Sequence, residues 1–239
     1  MRVVVVASQK GGSGKTTLSG HLAVQAERQG AGPVAILDTD PQGSLAEWWN
    51  CRTEGAPLFA RASLDSLEQD LSALQAAGVR LAVIDTPPAI TTAIRQVVQM
   101  ASLVVIPIRP SPHDLRAAAA TVDLAETLDR PFVFVVNAAT ARARITADAA
   151  VALSQHGTVA PVTLHHRTDF ASSMIDGRTV MECDPRSKSA DEIVNLWGYL
   201  STRLDKAAQR GLVFEAPAGF GAGRAGRAFG RRFANEVRA

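Results

Sequence analysis

The stretch Gln9-Lys10-Gly11-Gly12-Ser13-Gly14-Lys15-Thr16-Thr17 limits what this chain can fold into more than any other feature. It follows a short run of valines and leads into a helix-forming segment, so it reads as a strand, a glycine loop and a helix in succession. Glycine lets the main chain turn tightly and bring successive N–H groups close to an anion. The helix that follows adds the positive end of its dipole. Gly11, Gly12, Ser13, Gly14, Lys15, Thr16 and Thr17 are therefore a candidate phosphate cradle, with Lys15 reaching the β- and γ-phosphates and the Thr16 hydroxyl on Mg²⁺. A glycine turn without a ligand is the bland alternative, and the flanking strand and helix speak against it.

The same alternation continues along the chain. Residues 3–7, 34–37, 81–84, 103–108 and 132–136 are short, rich in Val and Ile and nearly continuous in hydrophobicity, as strands buried on both faces are. Between and after them, residues 16–29, 64–77, 91–100, 115–128, 146–154 and 191–206 carry helix formers with spaced apolar positions. The expected fold is α/β, a doubly wound and mostly parallel sheet flanked by helices, with ligands at the carboxyl ends of the strands.

Two more strand ends carry acids. Asp38 and Asp40, in Asp38-Thr39-Asp40-Pro41-Gln42, stand two apart and so point the same way if the strand runs on. They suit a metal or a water, although a solvated acidic turn is the plainer reading. The apolar run 81–84 ends in Asp85-Thr86-Pro87-Pro88, which places a carboxylate where Mg²⁺ is held beside a nucleotide. Alone this is weak, because strand ends often carry Asp. In order on three strands, the elements reinforce one another.

Here the sequence resembles the ParA/MinD family of deviant Walker A ATPases, whose K-G-G-x-G-K-T-T signature is matched by Lys10 to Thr17. Within it, the chain is most similar to the small ParA partition ATPases, those like ParF without an N-terminal helix-turn-helix. The shared pieces are Asp38-Thr39-Asp40-Pro41-Gln42 with Ser44, Leu45 and Trp48, then Pro110-Ser111-Pro112-His113-Asp114, and Ser173-Met174-Ile175-Asp176-Gly177. The resemblance implies that Lys10 crosses a dimer interface to the partner's nucleotide, that Asp40 orients the attacking water, and that Asp38 belongs to the Mg²⁺ environment with Thr16 and Asp85. It also implies that Asn137, at the end of the fifth expected strand, contacts adenine; an Asn that merely terminates a strand is the competing reading. ATP and Mg²⁺ are the cofactors implied. The implied partners are a second copy on ATP binding, DNA held without sequence preference, and a ParB-like or other adaptor that stimulates hydrolysis. The chain opens on the glycine-loop strand, so operator recognition is not expected of it. The implied location is cytoplasmic and nucleoid-associated.

Charge divides the chain unevenly. Residues 207–239 hold six arginines against two glutamates, a net +4, whereas residues 1–206 hold 19 bases against 21 acids, a net −2. We therefore expect an ATPase domain over 1–206 and a basic Gly/Arg/Phe tail over 207–239. Non-specific DNA affinity rests on Lys and Arg meeting phosphates, and Arg167, Arg178, Arg186 and Lys188 are the candidates in the body, each also readable as an ordinary solvated charge. The tail fits nucleic acid through arginine contacts and phenylalanine stacking, anionic membrane through a short basic amphipathic helix as in MinD relatives, or a partner. A metabolic enzyme of the same superfamily is a third class, disfavoured by Lys10. Two distant cysteines, Cys51 and Cys183, in no C-x-x-C pair, argue against a disulfide scaffold, a zinc ribbon or a cysteine-ligated cluster and fit a reducing compartment. No cleavable signal or membrane-length apolar run is written in the sequence.

Overall fold

The computed structural model describes residues 1–89 and 92–217. Its strands are β1 (Arg2–Val6), β2 (Val34–Asp38), β3 (Leu58–Arg61), β4 (Leu81–Asp85), β5 (Leu103–Ile108) and β6 (Phe132–Val136). The helices are α1 (Lys15–Arg28), α2 (Ser44–Asn50), α3 (Leu67–Ala76), α4 (Thr92–Gln99), α5 (Pro112–Thr127), α6 (Arg144–Ser154), α7 (Thr168–Ser173), α8 (Val180–Cys183) and α9 (Lys188–Gln209), with a 3-10 turn over Met174–Asp176. The strands form one sheet in the order β3-β2-β4-β1-β5-β6, and every pairing is parallel.

Alternation along the strands divides the core between two faces. Val4 and Val6 of β1 pack with Leu18 and Leu22 of α1 and with Ile193, Leu196, Trp197 and Leu200 of α9. Val3 and Val5 face the other way, toward Leu67, Leu71 and Leu74 of α3, Val97 of α4 and Val122 of α5. Helices on both faces explain why the central strands are apolar at every position. Because all strands run the same way, the ends of β1, β2 and β4 come out at one edge. Register then sets Val6 and Asp38 each opposite Asp85.

The five expected strands and six expected helices are present within a few residues at their ends. The strand β3 lies outside that expectation: it has four residues and pairs on one side only, with β2. The boundary placed at residue 207 falls inside α9, which runs on to Gln209. Beyond the helix, Phe214 is 7% exposed and belongs to the core. Its N–H donates to the Met1 carbonyl at 2.8 Å, the Met1 ammonium donates back at 2.9 Å, and the Ala216 N–H donates to Gln75 Oε1 at 2.9 Å. The packed body thus reaches Ala216, and residues 218–239 of the tail lie outside the described residues.

Candidate functional site

The glycine loop joins β1 to α1 at the carboxyl edge. Gly12 and Gly14 have φ of 72° and 91°, the left-handed region where a side chain is strained. A Cβ on Gly11 or Gly12 would meet nothing within 4 Å, so the cradle is open to an incoming group. At Gly14 the side chain of Asn137 closes in: a Cβ there would sit 2.3 Å from Asn137 Nδ2. Asn137 Nδ2 donates to the Ser13 carbonyl at 2.7 Å, which joins the end of β6 to the loop. Ser13 Oγ is buried and has no hydrogen-bond partner among the described residues.

Lys15 is 7% exposed, and its Nζ points toward the Lys10 carbonyl at 3.5 Å without an ion pair among the described residues. Burial lowers its pKa, against the pull of Asp85 and Asp40. The Lys10 side chain is exposed. Asp85 is nearly fully buried, and burial pushes its carboxyl up to about 7 despite hydrogen bonds from Thr16 Oγ1 at 2.7 Å and Ser19 Oγ at 3.2 Å. Thr39 fixes the backbone here, donating from N and Oγ1 to the Asp85 carbonyl.

Asp38 and Asp40 separate into different roles. Asp38 Oδ1 accepts from the Asp40 N–H, and Oδ2 accepts from the N–H groups of Leu45 and Ala46, each at 3.0 Å. It anchors the start of α2, a short helix whose own N-cap, Gly43, offers no side chain. Its placement with the metal residues therefore does not follow from its contacts. Asp40 lines the cleft; its Oδ1 accepts from the Gln42 N–H, and its other oxygen has no protein partner among the described residues.

These residues surround one cleft of about 650 Å³, walled by the glycines, Lys15, Thr16, Thr17, Asp40, Glu47, Trp48 and Arg109. A cleft of about 190 Å³ adjoins it, with Asn137, His165 and Phe170 in its walls. No three His, Cys, Asp or Glu side chains form a metal cage among the described residues. Thr16 beside Asp85 suits Mg²⁺, which keeps waters and takes one or two protein ligands along with phosphate oxygens.

The CobQ/CobB/MinD/ParA nucleotide binding domain matches residues 4–210. The chain belongs to this family. Among its relatives is a maintenance of carboxysome distribution protein A of Halothiobacillus neapolitanus, 28% identical over 80% of this chain and 92% of the relative. A protein of the same description from Gloeobacter kilaueensis is 41% identical over 51% of this chain and 55% of that one. The fold is shared with the septum site-determining protein MinD of Pyrococcus horikoshii, solved with Mg-ADP, at a TM-score of 0.70, 14% identity, and 87% and 99% coverage of the two chains.

The expected DNA contacts are not gathered into one basic patch of free charges. Arg167 donates to Glu192 at 2.7 Å, and Arg178 binds Asp176 at 2.6 Å. Arg186 and Lys188 are exposed and have no ion pair among the described residues. Sequence reasoning also missed a lock behind the cleft. Arg52 is buried between Glu182 at 2.8 Å, the Gly177 carbonyl at 2.6 Å and the face of Trp48, while Trp48 Nε1 donates to the Arg178 carbonyl. Burial pushes Glu182 up, but Arg52 holds it below its usual value. His21 sits in α1 with Nδ1 at the Thr17 carbonyl and Nε2 accepting from the Val180 N–H, so α8 is tied to the helix that leaves the loop. Burial pushes its pKa down to about 4.

Proposed function

We propose that this protein is an Mg²⁺-dependent ATPase whose ATP-bound dimer holds DNA without sequence preference and lets go on hydrolysis, so that a cargo is distributed or segregated. The observation that carries the reading is the cleft lined by Lys15 and Thr16, which follow β1, and by Asp40, which follows β2, with Asp85 of β4 hydrogen-bonded to Thr16 behind them. The loop N–H groups and Lys15 bind the phosphates, and the charge that develops on them is met by donors already in place. Thr16 and Asp85 would hold Mg²⁺, which would supply charge neutralisation on the phosphates. Asp40 has a carboxylate oxygen without a partner among the described residues to orient water for in-line attack on the γ-phosphorus. Asp38 acts on this chemistry by fixing the turn that carries Asp40. Lys10, being exposed, is available to a second subunit's nucleotide. Asn137 borders the smaller cleft, which takes the base in this reading and is thus the base cleft.

A cargo-positioning role is supported by relatives named for carboxysome distribution and by the MinD neighbour. The cargo is a plasmid, a chromosome origin or a large protein assembly, and an adaptor stimulates release. A nucleoid-associated cytoplasmic location accompanies this reading. Arg186 and Lys188 are the DNA contacts available in this conformation, while Arg167 and Arg178 require release from Glu192 and Asp176. The test is binding of Asp40→Ala protein to random duplex DNA with ATP, ADP or no nucleotide, across a salt series. ATP-dependent binding that weakens steeply with salt is expected. Binding to anionic liposomes in place of DNA would overturn the DNA reading in favour of a membrane switch.

A further inference from the structure

Three residues wall both clefts: Gly14, Thr17 and Arg109. Of these, Arg109 alone carries a charge. It follows Ile108, the last residue of β5, the strand that lies between β1 with its glycine loop and β6 with Asn137. The Asn137 N–H donates to the Ile108 carbonyl at 2.8 Å, and the Ser111 N–H donates to the Arg109 carbonyl at 2.7 Å. Pro107, Pro110 and Pro112 restrict φ on either side. The backbone that carries Arg109 is thus fixed in advance at the junction of the two clefts.

Its side chain is not fixed by any of the described residues. Arg52, Arg167 and Arg178 are each held by a carboxylate. Arg109 is exposed and, among the described residues, its guanidinium has neither an ion pair nor a hydrogen bond. Asp40 and Glu47 line the larger cleft with it, and neither pairs with it. A planar cation with five donors recognises phosphate oxygens in a bidentate way.

We propose that Arg109 binds the nucleotide of its own subunit, pairing with the phosphate nearest the ribose, where the phosphate cleft passes into the base cleft. Lys15 serves the distal phosphates, and Arg109 supplies the proximal cation. This inference rests on the adenine-nucleotide reading above. A proximal contact is common to ATP and ADP, so losing it weakens both alike, unlike a contact to the γ-phosphate or one made across a dimer interface.

The experiment measures ATP and ADP dissociation constants with Mg²⁺ for the full chain, for Arg109→Ala and for Arg109→Lys, with thermal melting of each. Because the side chain is exposed and unpaired, melting should be unchanged. Arg109→Ala should weaken ATP and ADP by the same factor, about ten- to a hundredfold. Arg109→Lys should recover part of the loss, since it keeps the charge and loses the fork. Unchanged ADP affinity in Arg109→Ala, with or without a loss of ATP affinity, would overturn the proposal. If the unaltered protein binds neither nucleotide, the functional reading fails and takes this inference with it; if it binds both and the variants bind equally well, this inference alone fails.

Discussion

The phosphate cleft and the paired arginines behind it, Arg52, Arg167 and Arg178, both concentrate charge and treat it in opposite ways. In the cleft, Lys15 and Asp40 are packed close to one another's field yet form no ion pair, and Lys15 is buried at a cost that lowers its pKa. Behind it, Arg52, Arg167 and Arg178 are each matched to a carboxylate, while Arg186 and Lys188 stay exposed in solvent. Charges that a fold leaves unmatched in a concave site are available to a ligand, whereas matched charges hold the fold together. Substitution in the two regions should therefore move different observables.

The largest effect is expected at the lock that joins them. Arg52→Ala leaves Glu182 half-buried without its partner and removes the guanidinium from Trp48, and chemical denaturation should report a loss of about 3–5 kcal/mol. A loss below about 1 kcal/mol would show that the pair contributes no more than a surface ion pair. Lys15→Ala should do the reverse, weakening ATP by on the order of a hundredfold in a direct binding titration while leaving the melting temperature unchanged or raised. If both quantities fall together, Lys15 is structural and the contrast breaks.

The tie between the regions through His21 titrates. Its pKa is about 4 in the fold against 6.5 for the ordinary imidazole, so the unfolded chain binds more protons between those values. Stability is complete above pH 6.5 and declines as pH falls toward 4, by at most about 3 kcal/mol from this group. Urea unfolding at pH 7 and pH 5 should show a flatter dependence in His21→Asn, from a lower starting stability, and an identical slope would remove His21 from the account. The smallest effect sharpens the DNA side. Lys188→Ala should reduce the salt slope of DNA binding by about one, whereas Arg178→Ala, whose charge is matched by Asp176, should change it little.

What could be read from sequence was what is contiguous. The loop, Asp85 at the end of β4 and the apolar central strands are each written in fewer than ten successive residues, and their side chains act where the chain places them. What depended on distant partners was hidden. The start of α2 is held by Asp38, β3 is a strand because β2 pairs with it, and Arg52 meets Glu182 from 130 residues away. Composition misplaced the end of the body for a similar reason: Phe214 belongs to a basic stretch in sequence but packs in the core beside Met1. Arg109 carried a local signal, a single cation among three prolines at a strand end, that gains meaning only when two clefts are seen to meet there.

The central claim is that unmatched charge in the cleft serves an ATP-driven dimer. Light scattering of Asp40→Ala protein with Mg²⁺ and ATP tests it directly. The account predicts a species of twice the 25.2 kDa chain mass with ATP, and the single chain with ADP or without nucleotide. A single chain at saturating ATP, or a dimer indifferent to nucleotide, would contradict it.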